Sequence, residues 1–229
     1  MSERGPEHPV SASDYAWLDY QLDEYQSRVN ELEFENERLR RDALTGALVA
    51  SEIRRELESA VDQAALTGRP CALIFGDVDN LKKINDKYGH AEGGDVVLRA
   101  LGRSWRSSDV VGRIVGRSGG DEFWWVLKDL EPRSDLKGNQ RFIKPTLEEK
   151  IGALAISYRK RAIDELKALP FGDEVGFSVG VAIYEAGDRA EDLISRADHD
   201  MYTNKSRNKL TQSELDDSIN RHPAGFEPK

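Results

Sequence analysis

Two acidic clusters in this chain have the residue types and surroundings to do chemistry. Arg117-Ser-Gly-Gly-Asp-Glu-Phe123 sets two glycines between strand-like runs. Such a pair permits the positive φ angles of a tight hairpin turn, which presents Asp121 and Glu122 at an exposed tip. Asp77-Val-Asp79 follows the apolar run Cys71-Ala-Leu-Ile-Phe75, so its acids fall at a strand's carboxyl end. A hairpin paired beside that strand brings Asp77 and Asp121 into one oxygen-rich pocket at the sheet edge. Crowded carboxylates repel one another unless a cation compensates. Hard oxygen ligands favour Mg²⁺, which keeps some of its waters and shares itself with substrate phosphates. Paired metals of this kind polarise a phosphoryl group and lower the pKa of an attacking hydroxyl. The chemistry implied is nucleotidyl transfer. Gly-Gly-Asp-Glu alone fits a solvated turn equally well, and the second acidic cluster separates the two readings.

The elements that hold these clusters follow from apolar periodicity and chain breakers. Helices are expected over 47–66, 80–87, 93–106, 146–168 and 189–205. Strands are expected over 71–75, on either side of Gly119-Gly120, and over 175–184. From the first strand the order reads β-α-α-β-β-α-β-α, an α/β (α+β) unit spanning 42–210. Trp124 and Trp125 read as strand residues packing on opposite faces rather than as a base-stacking site. A polar insert at 131–145, a frayed terminus at 1–13 and a polar, flexible tail at 211–229 carry no assigned role.

Ahead of the globular unit, 14–41 carries a heptad register. Tyr15, Leu22, Val29 and Asn36 fall at a, and Leu18, Tyr25, Leu32 and Leu39 at d. An a-position Asn pairs with its twin in one register only, which favours a parallel two-stranded coiled coil. Arg28 at g faces Glu33 at e of the partner, and Glu35 faces Arg40. A homodimer through 14–41 is therefore expected over a helix lying on its own domain.

Composition narrows the remaining classes. With 33 Lys+Arg against 42 Asp+Glu, the formal net charge of −9 disfavours a nucleic-acid partner. The single cysteine, Cys71, excludes a disulfide framework and a Cys-based zinc site, and fits a reducing compartment. No run approaches the roughly 18 apolar residues of a membrane span, and the polar start lacks the apolar core of a secretion signal. A soluble, cytoplasmic protein is expected.

Several segments together resemble the ordered motifs of GGDEF-domain diguanylate cyclases. They are Phe75-Gly-Asp-Val-Asp-Asn-Leu-Lys-Lys-Ile-Asn-Asp-Lys-Tyr-Gly-His90, Gly94-Asp95, Gly119-Gly-Asp-Glu-Phe123, Phe177-Ser-Val-Gly-Val-Ala182 and Ala197-Asp-His-Asp-Met-Tyr202. The resemblance runs from Asp42 to about Asn208. It implies a ferredoxin-like, polymerase-palm-related domain that binds one GTP. Two domains meet face to face and join two GTP into cyclic di-GMP, releasing two pyrophosphates. It implies Mg²⁺ (or Mn²⁺) on Asp77, the Val78 carbonyl and Asp121, with Asp121 also accepting a proton and Glu122 supporting the metal site. Lys82 matches the family's transition-state-stabilising lysine. Asn85, His90 and Asp95 match substrate positions, Asn85 and Asp95 reading the guanine edge. Backbone groups at Asn80 and Leu81, with Lys205 and Arg207, cradle the phosphates. Each charged side chain outside the two acidic clusters also has a plain structural reading, as a solvated helix charge, a cap or a dipole partner.

The chain departs from the family pattern in ways that generate expectations. One extra residue between His90 and Asp95 is expected to displace Asp95 from the base. The start Asp42-Ala-Leu-Thr-Gly-Ala-Leu lacks the Asn-Arg-Arg that usually follows. The segment Arg106-Ser-Ser-Asp109, matching the family's product-inhibition motif, stands nine rather than five residues before Gly119, so weak or absent product inhibition is expected. Lys205 to Arg207 is two residues shorter than usual. Two rivals remain: a degenerate receptor or scaffold that binds GTP or cyclic di-GMP, and a synthase of another cyclic dinucleotide.

Overall fold

The computed structural model describes residues 12–106, 113–131 and 145–221. The chain divides into two compact units, Met1–Arg41 and Asp42–Lys229. The first holds one helix, α1 (Ala12–Leu39). Its heptad positions from Tyr15 to Leu39 are all solvent-exposed among the described side chains, and Trp17, Tyr20 and Phe34 outside the register are exposed as well.

The second unit runs α2 (Ala50–Thr67), β1 (Ala72–Asp79), α3 (Leu81–Tyr88), a π-helical turn (His90–Gly94), α4 (Asp95–Arg106), β2 (Arg113–Arg117), β3 (Glu122–Leu127), α5 (Leu147–Lys167), a 3₁₀ turn (Gly172–Glu174), β4 (Gly176–Ile183) and α6 (Ala190–Arg221). The element order is the expected one. The four strands lie in the order β2-β3-β1-β4, every neighbour antiparallel. The sheet is the α+β architecture anticipated from the motif order.

Strand alternation sorts the core into two layers. Ile74, Val78, Phe123, Trp125 and Phe177 face α4 and α5, while Leu73, Phe75, Trp124 and Val126 face α2 and α6. Trp124 and Trp125 thus pack on opposite faces. Gly76 is required by close approach, because a Cβ there would lie 2.6 Å from the Phe177 ring and 2.8 Å from Trp125. Local signals set the ends of elements. Thr146 and Glu149 form a reciprocal capping box on α5, and Gly68 ends α2 at φ +70°.

The sheet unit differs from expectation at its C-terminal end. Helix α6 continues to Arg221, well past 205 and through half of the segment read as a flexible tail. No Pro or Gly occurs between Ala190 and Pro223, so nothing in the chain forces an earlier stop. Residues 1–11, most of the 131–145 insert and 222–229 lie outside the described residues. Among the described residues no helix is long and apolar enough to cross a membrane.

Candidate active site

Alternation along β1 fixes which way the acids point. Leu73, Phe75, Asp77 and Asp79 share the α2/α6 face, and Glu122 shares it from β3, two residues before Trp124. Asp77 pairs directly with Glu122 on one side and with Ser178 of β4 on the other. The Val78 N–H donates to the Asp121 carbonyl at 3.0 Å, so the hairpin tip is bonded to the end of β1. Two acidic segments 44 positions apart in sequence (121 − 77) therefore meet, on a central strand rather than at the sheet edge.

The tip is held from both sides. Ser118 N–H donates to the Glu122 carbonyl at 3.0 Å, and the Arg117 guanidinium donates to the Gly120 carbonyl at 2.7 and 3.2 Å and to Asp42 at 3.0 Å. Asp42 also accepts from the Thr45 N–H and hydroxyl, which shows what the first residues of the unit do despite the missing Asn-Arg-Arg. Neither Gly119 nor Gly120 adopts a positive φ, contrary to the expectation from the Gly-Gly pair. A Cβ at Gly119 would stand 2.7 Å from a Glu122 carboxylate oxygen, the movable end of that side chain. That glycine lets the Glu122 side chain fold back over the turn.

Helix α6 closes the site. Asp198, Met201, Tyr202 and Lys205 recur at i, i+3, i+4 and i+7, one helix face, and with Asp77 and Glu122 they line a cleft of about 590 Å³. The Lys205 ammonium bonds Asp77 and lies 3.1 Å from Asp79, whose other oxygen accepts from the Ser178 hydroxyl at 2.8 Å. Burial pushes the Asp77 carboxyl above its ordinary value against the pull of Lys205, and the charges of Asp121 and Asp79 add to the push. Glu122 is raised by burial and then by the charges of Asp121, Asp77 and Asp198. For Lys205, burial would lower the pKa, but its bonds to Asp77 and Asp79 outweigh that and raise it. The cleft is thus a concentration of like charge with a single lysine bonded into it.

A second group lies on α3 and the turn after it. Asn80 precedes α3 in a left-handed conformation, φ 65°, and its side-chain amide donates to the Glu174 carbonyl at 3.3 Å. Leu81 is buried in the core and Lys82 is exposed. Asn85 places its carboxamide against Gly94, where a Cβ would come within 2.1 Å of Oδ1. That oxygen is buried and has no hydrogen-bond partner among the described residues. His90 is exposed and opens the π-helical turn. The turn closes with the Asp95 N–H bonded to the His90 carbonyl, five residues back. A π turn is how a helix absorbs one inserted residue. The extra residue is therefore taken up before Asp95, which begins α4 and stands 3.5 Å from Arg99.

Arg207 lies on another face of α6, where it lines a separate cleft of about 360 Å³ with Arg159, Asp200 and Asn204. Arg106 ends α4, but its side chain and the whole of Asp109 fall outside the described residues. The sequence reading assigns no role to Asp79 or Asp198. Period-two alternation from Asp77 and a seven-residue step back from Lys205 are the signals that mark them.

A family model, diguanylate cyclase GGDEF domain, matches residues 39–210. The chain belongs to the diguanylate cyclase GGDEF-domain family. It is 31% identical over 171 residues to diguanylate cyclase DgcM of Escherichia coli (strain K12), covering 74% of this chain and 37% of that protein. Among solved structures, a sensory box/GGDEF family protein from Caulobacter crescentus matches with a TM-score of 0.54 and 31% identity, over 73% of this chain and 99% of the other. The coiled coil and GGDEF domain of DgcB from Caulobacter crescentus, in complex with c-di-GMP, shares the fold at a TM-score of 0.65 and 21% identity, over 84% of this chain and 94% of that one. This GGDEF chain spans between 21% and 52% of the length of the curated relatives it matches.

Proposed function

We propose that this GGDEF chain is a diguanylate cyclase that condenses two GTP into cyclic di-GMP and two pyrophosphates. One observation carries the reading: Asp77 and Glu122 face each other across β1 and β3, with Asp121 bonded beside them and Lys205 opposite.

The donor set suits a hard divalent cation. Asp77 and Glu122, each raised by burial and by the charge of Asp121 beside them, gain most from a cation between them. Mg²⁺, or Mn²⁺ in its place, takes one or two carboxylates and fills its shell with water and phosphate oxygens. Among the described residues no group of three or more His, Cys, Asp or Glu side chains stands as a ready metal cage. Asp77, the Val78 carbonyl and Asp121 would hold the ion, which supplies Lewis-acid polarisation of the triphosphate.

The protein groups do the rest. Asp121 accepts the proton of the 3′-hydroxyl as its oxygen attacks the α-phosphorus of the opposite GTP, and the bond to pyrophosphate breaks. Glu122 supports Asp121 and Asp77. Lys82 and Lys205 offset charge growing on the phosphates, and the Asn80 and Leu81 backbone holds them. Asn85, with its unpartnered buried oxygen, and Asp95 read the guanine edge, and His90 flanks the substrate. Arg207, facing a different cleft, takes no part.

Each domain supplies half of an active site, so two chains must meet. The exposed heptad face of α1, residues 14–41, is the surface that pairs them in parallel. The substrate and the lone buried Cys71 fit a cytoplasmic setting.

The test is incubation of purified protein with Mg²⁺ and GTP, ATP or both, with products resolved by chromatography. Cyclic di-GMP from GTP alone is expected. Nucleotide binding without turnover would make the chain a receptor, and a mixed or adenine product would reassign the base.

A further inference from the structure

Lys205 is the one cation that the described structure bonds to the acids of β1. Its ammonium contacts Asp77 and stands 3.1 Å from Asp79. The three side chains are largely sheltered, at 23%, 14% and 17% exposure. The position is set from three elements. Strand alternation aims both acids at α6, the Ser178 hydroxyl orients Asp79, and the helix face Asp198, Met201, Tyr202, Lys205 brings the lysine over them.

We infer that Lys205 is a tethered counter-ion that competes with the divalent cation for Asp77 and is handed over to the nucleotide's phosphates when that cation enters. The inference rests on the proposed metal-dependent reading of the cleft.

A divalent ion in the inner shell of Asp77 repels an ammonium held on the same carboxylate, because the two cations then stand close together. Entry of the ion therefore releases Lys205. The freed ammonium remains on α6 at the cleft wall, where an incoming triphosphate supplies new negative charge. Metal and nucleotide then favour each other's binding through a single side chain that both must move. This protects an acidic cleft from the repulsion of its own carboxylates, and it keeps a bare cation from occupying the site tightly.

Removing the ammonium should strengthen binding of metal alone. Mn²⁺ titrations without nucleotide, with free Mn²⁺ counted by electron paramagnetic resonance, should show Lys205→Met and Lys205→Gln binding about tenfold tighter than wild type. Lys205→Arg, which keeps the charge, should bind as wild type does. Circular dichroism checks that each variant is folded. In the wild-type chain itself, the ¹⁵Nζ resonance of Lys205, visible while the ammonium is ion-paired, should broaden by exchange with water as Mg²⁺ is added. Equal Mn²⁺ affinity in wild type and in the Met and Gln variants would overturn this inference and leave the metal site standing. A Lys205 resonance unmoved by saturating Mg²⁺ would overturn it as well. No Mn²⁺ bound by any variant, with GTP or without, would overturn the metal reading together with it.

Discussion

Leu22, Val29 and Leu39 of α1 stand 61%, 51% and 73% exposed, whereas Leu57, Leu73 and Leu193 of the sheet unit are each at 0%. Burying such a side chain is worth about 1.5–3 kcal/mol, so the sheet unit contains the surface that stabilises it and α1 does not. An isolated helix gains little from propensity alone. The contrast separates two jobs. In the proposed function the sheet unit carries the chemistry and the exposed heptad face of α1 is the surface that would pair two chains.

The comparison breaks most sharply if chemistry and pairing prove inseparable. Asp121→Ala should cut cyclic di-GMP formation about a thousandfold, or about 4 kcal/mol, while leaving the sedimentation behaviour of the chain as it was. A dimer lost with the carboxylate would show that the cleft, not α1, holds the protomers together.

Gly76→Ala strikes the packing of the sheet unit alone. The added methyl meets the Phe177 and Trp125 rings, which core neighbours hold in place. Overpacking of this kind should cost about 2 kcal/mol, read as a lower denaturant midpoint, with α1 still pairing. An unchanged midpoint would mean that the two aromatic rings yield more easily than a close-packed interior should.

Deleting residues 1–41 tests the other side. At sub-micromolar protein, specific activity should fall about tenfold, equivalent to about 1.4 kcal/mol of lost effective concentration. Raising the protein concentration should restore it, and the melting temperature of the sheet unit should not move. Undiminished activity in dilute solution would contradict a pairing role for α1.

Legibility in the sequence followed the same division. The heptad residues, the order of elements along the chain and the meeting of Asp77 with Asp121 were readable because each depends on short-range periodicity or on a chain reversal marked by glycine. What was not readable depends on contacts across elements. Gly119 suggests a left-handed turn by its type, yet the Glu122 side chain is what occupies its missing Cβ. The extra residue before Asp95 shows in the sequence only as a spacing, and the π turn that holds it, His90–Gly94, is a feature of the structure. Asp79 and Asp198 stand inside the motifs that carry the resemblance without a role of their own there, and only the approach of α6 to β1 brings them together around Lys205 and Glu122. Helix α6 outran its expected end because polar, unbroken sequence carries no stop signal.

The smallest effect concerns how each group of acids answers to pH. In the sheet unit, hydrogen bonds from Arg196 hold the Asp188 carboxyl below its ordinary value of 3.8. Burial alone would raise Asp42, but Thr45 and Arg117 bring it lower as well. Such groups contribute stability above their ordinary pKa and lose it as pH falls through the lowered one. Asp77 is shifted the other way, raised by burial and by the charges of Asp121 and Asp79, and Glu122 is raised by burial and by Asp121, Asp77 and Asp198. Their ionised forms are the disfavoured ones in the folded chain, so stability should rise as pH falls from neutral through their raised pKa values, before the structural pairs begin to fail below about 4. Glu122→Gln should therefore raise stability at neutral pH by an amount within about 1 kcal/mol, read as a higher melting temperature, and flatten the gain on mild acidification. Added Mg²⁺ should do the same for the wild-type chain, by compensating the charge that the substitution removes. A wild-type melting temperature that only falls from neutral pH downward would mean that the cleft acids are not under mutual strain, and the division between a relaxed scaffold and a charge-crowded cleft would lose its physical basis.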